Sequence, residues 1–287
     1  MTSAVPLDAA VRPARTRRPG RRSRPPTNLT RGAGLALGLS VTWFSLLVLI
    51  PLAALVYVAA GGGWDAYVET LTNPQTWAAI KLTVGASLGV TVVNIFVGTI
   101  IAWVLVRDKF VGKRILDVVI DVPFALPTIV AGLVLLGLYG HGSPLGVDWA
   151  NKTQAVWLAL AFVTLPFIVR TVQPVLEELE HDVEEAAASL GAKRLTVFRR
   201  IILPSLVPAI AAGAALSFAR AIAEYGSLVL LSGNLPFRTE VVSVRVISFI
   251  EGGSTAAAAA VASLMLAVAL FVIVALDLVQ RRVARRG

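Results

Sequence analysis

The chain has no cysteine and only two histidines in its 287 residues. The first absence excludes a disulfide framework, a Cys-based metal site and a thiol nucleophile. His141 and His181 lie far apart in sequence, which argues against a His-rich metal site. Charged residues make up only 15% and aromatics 7% of the chain. Catalytic signatures are missing as well. No Gly-x-x-x-x-Gly-Lys-Ser/Thr, His-Glu-x-x-His or Gly-x-Ser-x-Gly occurs. The run Gly252–Gly253–Ser254–Thr255 lacks the lysine and the preceding strand of a phosphate loop, and reads as a flexible loop. The expectation is therefore a protein that is not an enzyme and needs no cofactor or metal.

What the chain has in abundance is apolar length. It is 56% hydrophobic with a mean hydropathy of +0.78, too apolar for an ordinary soluble domain. Six apolar segments are long enough to cross a bilayer core of roughly 30 Å. They lie near 33–60, 82–106, 118–139, 154–173, 206–231 and 256–279. The expected fold is all-α, a polytopic membrane protein with six transmembrane helices. Residues 1–32 form a basic tail of disordered composition, residues 33–279 the membrane domain, and residues 280–287 a basic end. The first apolar segment is too long for the core of a signal peptide and no clear cleavage site follows it, so it reads as retained.

Basic residues orient the spans. The tail, the 107–117 and 174–204 connections and the C-terminus together carry 20 Lys and Arg, against 4 in the opposite connections. Both termini and the 174–204 loop are thus expected in the cytoplasm. The net charge of +9 is accounted for by this asymmetry, without a nucleic-acid partner.

The 174–204 loop is the most specific stretch. Pro174 suits the first turn of a helix. Leu176, Leu179, Val183, Ala187 and Leu190 recur at helical spacing on one face, with Glu177, Glu178, Glu180, Asp182 and Glu184 on the other. Gly191 is a natural helix stop, because glycine adopts the left-handed conformation without steric cost. Ala186, Ala187 and Ala188 offer a surface that another backbone can approach closely. Within it stand Glu185, Ala186, Ala187, three residues, Gly191, nine residues, then Ile201, Leu203 and Pro204. This pattern resembles the EAA loop of binding-protein-dependent ABC importer permeases at every position. In that family the loop docks on an ATPase subunit.

Further stretches resemble the T subunits of bacterial sulfate/thiosulfate permeases: LTNPQTWAAIKLT (71–83), DVPFALPTIVAGL (121–133), LPFIVRTVQPVLEEL (165–179) and ALSFARAIAEYGSLVLLSGN (215–234). Thr239–Glu240 and the apolar run after it fit too. The resemblance covers roughly residues 35–280. The 140–153 connection departs from it, being shorter than the sulfate branch leads one to expect. The resemblance implies the type I ABC importer permease architecture and import of sulfate or thiosulfate, with molybdate or another oxyanion as the alternative. It implies a homologous second permease subunit, two ATP-binding subunits, an external sulfate-binding protein and the bacterial inner membrane. A non-transporting membrane enzyme or signalling subunit is the competing class. The absent catalytic constellation and the missing soluble sensor domain argue against it.

Polar residues inside the spans are candidates for the translocation pathway. Arg220 and Glu224 stand four apart and can pair, either as a helix lock or as part of an anion route. Asp121 precedes Pro123, and a helix broken at Pro123 and Pro127 either frees backbone groups to line a pathway or is a simple kink. Asn94, Ser87 and Ser217 fit interhelical hydrogen bonds as well as a pathway. Arg170, near the cytoplasmic end of its span, is expected to snorkel. Residues 240–250 are apolar but too short to span. They suit a re-entrant or interfacial helix, or a surface for an external binding protein.

Overall fold

A computed structural model describes residues 31–179 and 181–284. Most of the expected basic tail, Glu180, the last three residues and the side chains of Arg31, His181, Asp182, Val183, Ala188, Val279, Val283 and Ala284 lie outside the described set. The chain divides into two units, Met1–Ile50 and Pro51–Gly287. The described part of the first unit is helix α1 (Arg31–Phe44) and a π-helical turn, Ser45–Leu49. Its side chains are almost all exposed, Leu35 and Leu39 included, as befits a surface meant for lipid or protein rather than water.

Helix α2 (Ile50–Gly61) leads into the second unit, which continues with α3 (Trp64–Thr72), α4 (Pro74–Arg107), α5 (Lys113–Ala125), α6 (Thr128–Tyr139) and α7 (Thr153–Glu178). There follow α8 (His181–Ser189), α9 (Arg194–Val197), α10 (Leu203–Ile222), α11 (Gly226–Leu231), α12 (Val242–Glu251) and α13 (Thr255–Ala284). No strand occurs among the described residues. Five helical runs are long and apolar enough to cross a membrane, and α5 with α6 makes a sixth if a bent pair counts as one span.

Helix α4 starts eight residues before the apolar run at 82. The Asn73 side chain accepts from the N–H groups of Gln75 and Thr76, and Pro74 occupies a first-turn position where no N–H is needed. At 34 residues α4 is roughly 51 Å long, ample for a bilayer. It packs along α7 and α10, and α10 also packs on α13. Asn94 of α4 donates to Thr164 Oγ1 of α7 at 2.9 Å, a polar tie inside an otherwise apolar contact. One core cluster joins Val90, Leu160 and Leu228. Another joins Leu105, Ile168, Val197 and Leu206, close to the docking loop.

The third apolar segment is broken, as its prolines lead one to expect, whereas two other sequence expectations need correction. The third segment turns by 118° between α5 and α6. Leu126 is extended (φ −85°, ψ 134°), as a residue before proline prefers, and Pro127 then opens α6. Pro123 stays inside α5, so the break falls at Pro127 alone. The fifth segment is displaced. Its run spans Arg194–Ile222, and residues expected to complete it form the separate α11, packed on α6. That packing requires Gly132, because a Cβ there would stand 2.7 Å from the backbone oxygen of Ser227. Finally, Pro174 does not start a helix. It lies within α7, which runs on to Glu178, and the helix that carries Glu185, Ala186 and Ala187 is the separate α8.

Candidate functional site

The 174–204 loop is built from α8, a glycine stop and a π-helical re-entry into α10. Gly191 has φ +83°, the left-handed region that side chains with a Cβ avoid. The Ala192 N–H donates back to Ala187 O at 3.0 Å, the long-range bond of a Schellman-type stop. Glu185 and Ala186 are exposed, and Ala187 is half-buried against the core. Leu190, grouped by spacing on one helical face with Leu176, is 90% exposed because the helix stops beside it, whereas Leu176 belongs to α7 and is buried. A π-helical turn, Phe198–Ile202, precedes α10. The Leu203 N–H reaches Phe198 O across it, a wider turn than the α-helical one, and Pro204 follows with no N–H to place. Ile201 and Leu203 are half-buried and Pro204 exposed, so the terminal part of the motif seats the chain on the bundle.

Helical spacing puts Glu184 on the acidic face, opposite the apolar one. Arg107 Nη2, at the end of α4, donates to Glu184 Oε1 at 2.6 Å. The Arg107 guanidinium also stands 5.6 Å from the Trp103 ring centroid, and Trp103 meets Phe198 edge to face at 5.9 Å.

Within the bundle, Arg220 and Glu224 make the expected ion pair at 2.8 Å. Glu224 Oε1 accepts from both the N–H and the hydroxyl of Ser227, at 2.9 Å each, which caps the start of α11. The Glu224 carboxylate is fully buried while Arg220 is 32% exposed, so the cation is the accessible member. Ser217 and Ser87 are buried in the bundle.

Arg170 does not snorkel alone. It reaches Asp121 through Nε and Nη2 (2.8 and 2.7 Å), and Asp117 Oδ1 and Gln173 through Nη1 (2.7 and 2.6 Å). The Asp117 carbonyl completes the set at 2.8 Å. Asp121 is thus tied to α7 instead of standing free. The pairing roles of Asp117, Arg107 and Ser227 are not marked by local sequence. Asp117 and Asp121 stand four apart on one helix, and that spacing was the available signal. On the other side of the bundle, Glu240 accepts from Gln75 Nε2 at 2.7 Å, which anchors the connection into α12. Residues 242–251 form that amphipathic helix, packed on α13 and α4.

A bundle of membrane-length helices, with two apolar segments broken and a glycine-stopped helix beyond them, defines the class as a polytopic membrane protein. The chain belongs to the family described as the binding-protein-dependent transport system inner membrane component, which matches residues 94–286. It is 42% identical over 262 residues to the sulfate transport system permease protein CysT of Salmonella typhimurium, covering 89% of this chain and 95% of that one. Against the protein of the same name from Escherichia coli strain K12 the identity is 41%, with the same coverage. Among solved structures, a bacterial ABC transporter involved in import of the acidic polysaccharide alginate matches with TM-score 0.66 at 18% identity. That match covers 87% of this chain and 94% of its counterpart. The MetNI methionine ABC transporter in an inward-facing conformation matches with TM-score 0.54 at 18% identity, covering 74% and 99%. These two likenesses concern the fold. Family membership makes this a multi-pass inner-membrane component of an ABC transporter that works with other subunits.

Proposed function

We propose that this chain is a transmembrane subunit of an importer for sulfate and thiosulfate. The observation that carries the reading is identity above 40% to two sulfate permeases over 89% of the chain, a span that includes the docking loop and both broken segments. Both termini and the 174–204 loop face the cytoplasm, as the asymmetry of basic residues favours. The working complex contains a second, homologous permease subunit, two ATP-binding subunits and an external sulfate-binding protein.

In this reading the chain supplies pathway and lever. Closure of the ATP-binding subunits on ATP moves Glu185, Ala186, Ala187 and Gly191. Ile201, Leu203 and Pro204 pass the displacement into α10. The cavity then opens to the loaded binding protein, and hydrolysis resets it. Arg220, held by buried Glu224, supplies positive potential on the route of a divalent anion. Asp121 and Pro123 border the break between α5 and α6. Asn94 and Ser217 lie deeper, at the α4–α7 and α10 contacts.

The test is uptake of labelled sulfate into proteoliposomes holding this chain, its partner permease, the ATP-binding subunits and the binding protein. Sulfate uptake that needs ATP and is competed by thiosulfate supports the reading. Competition by molybdate at lower concentration than thiosulfate assigns the complex to molybdate instead.

A further inference from the structure

The docking helix is short and thinly seated. Its nine residues are fewer than a helix needs for stability in water, and none of its described side chains is buried. Among its described side chains, two attach it to the bundle. Ala187 rests half-buried on the core, and Glu184 takes the 2.6 Å bond from Arg107. That ion pair is unlike a surface pair. The Arg107 side chain is 8% and the Glu184 side chain 23% exposed, so water screens it weakly. Arg107 also sits in the last turn of α4, where a cation complements the helix dipole.

The same arginine lies over Trp103, and the Trp103 ring abuts Phe198, where the chain turns back into the bundle. The end of α4, the docking helix and the start of the fifth span are thereby fastened at one point, although they are separated by about 77 and 91 residues in sequence. The covalent chain links the docking helix only to α7 and α10. Helix α4 has no covalent share in the loop, yet it packs along both of those helices.

We infer that Arg107 and Glu184 form a strut that transmits movement of the docking helix directly into α4, making Arg107 a positioning residue for coupling. A displacement of α8 then moves three central helices together instead of bending the two that flank it. The inference rests on the docking role proposed above.

The test compares Arg107→Gln, Glu184→Gln, their double variant and Arg107→Lys in the reconstituted sulfate system. The readout is sulfate taken up per ATP hydrolysed, normalised to the complex that co-purifies. Each single neutral variant is expected to lower this ratio roughly fivefold or more. The double variant should fall no lower than the worse single, since the two side chains act through each other. Arg107→Lys, which keeps the charge, should recover most of the ratio. Ratios within about twofold of the parent in both neutral singles, or losses that multiply in the double variant, overturn the strut. Gly191→Val in the same vesicles separates the two readings. If it uncouples while the pair variants do not, only the strut fails; if it also couples normally, the docking role fails.

Discussion

Arg220 and Glu224 meet at 2.8 Å although the helix that carries Arg220 ends at Ile222, so the carboxylate reaches its cation from beyond the helix end. The geometry holds because Ser227 fixes the other carboxylate oxygen while α11 packs on α6. Removing one partner strands the other. Arg220→Gln should destabilise the solubilised protein by roughly 3 kcal/mol, as expected when a buried charge loses its partner. The double variant Arg220→Gln/Glu224→Gln should recover most of that loss in a thermal unfolding scan. If Arg220 serves the anion route, sulfate uptake stays low in the double variant despite restored stability. Uptake near the parent level would remove Arg220 from the pathway.

Gly191→Val places a β-branched residue at φ +83°, at a local cost of about 1–2 kcal/mol. The stop after the docking helix should be misdirected, and ATP hydrolysis should proceed with little sulfate uptake. Glu185→Lys, at an exposed docking position, should weaken co-purification of the ATP-binding subunits. Normal assembly and transport in both variants would refute the docking role.

Orientation can be read directly, because the chain has no native cysteine to contribute background. Cysteines introduced at Ala186 and Ser254 should react with an impermeant maleimide from opposite faces of sealed vesicles. Labelling of both from one face would contradict the proposed topology.

Arg170 serves two carboxylates, so loss of either acid leaves the other in place. Asp117→Asn and Asp121→Asn should each cost about 1 kcal/mol or less, given their partial exposure. Arg170→Gln leaves two like charges side by side on α5 and should cost more than the two acid variants together. Thermal unfolding of the three purified variants decides the order.

Gly132 and Gly137 both lie on α6, and only the first meets another backbone. A Cβ at Gly132 would press on Ser227, whereas one at Gly137 would find no atom within 4 Å. Gly132→Ala should therefore destabilise the bundle by roughly 1–3 kcal/mol. Gly137→Ala should remain within about 0.5 kcal/mol of the parent. Equal melting temperatures for the two variants would contradict the α6–α11 contact.

The amino-acid sequence by itself determined the all-α class, the approximate spans and the docking motif. Each of these is written locally. Hydropathy sums along a window, and the Gly191 stop requires only its own backbone freedom. Only the tertiary structure decided that the third apolar run breaks at Pro127 and not at Pro123, and that the fifth breaks at all. Residues 206–231 read as one span because a hydropathy sum does not register that Gly226 and Ser227 pack against the backbone of α6. The ties of Arg170 to Asp117 and Asp121, and of Arg107 to Glu184, were equally unreadable. Each joins residues some 50 to 77 positions apart, and whether such groups pair depends on which helices become neighbours. Leu190 shows the limit from the other side. Its helical spacing put it on the apolar face, but burial requires a partner surface, and the helix stops before it finds one among the described residues.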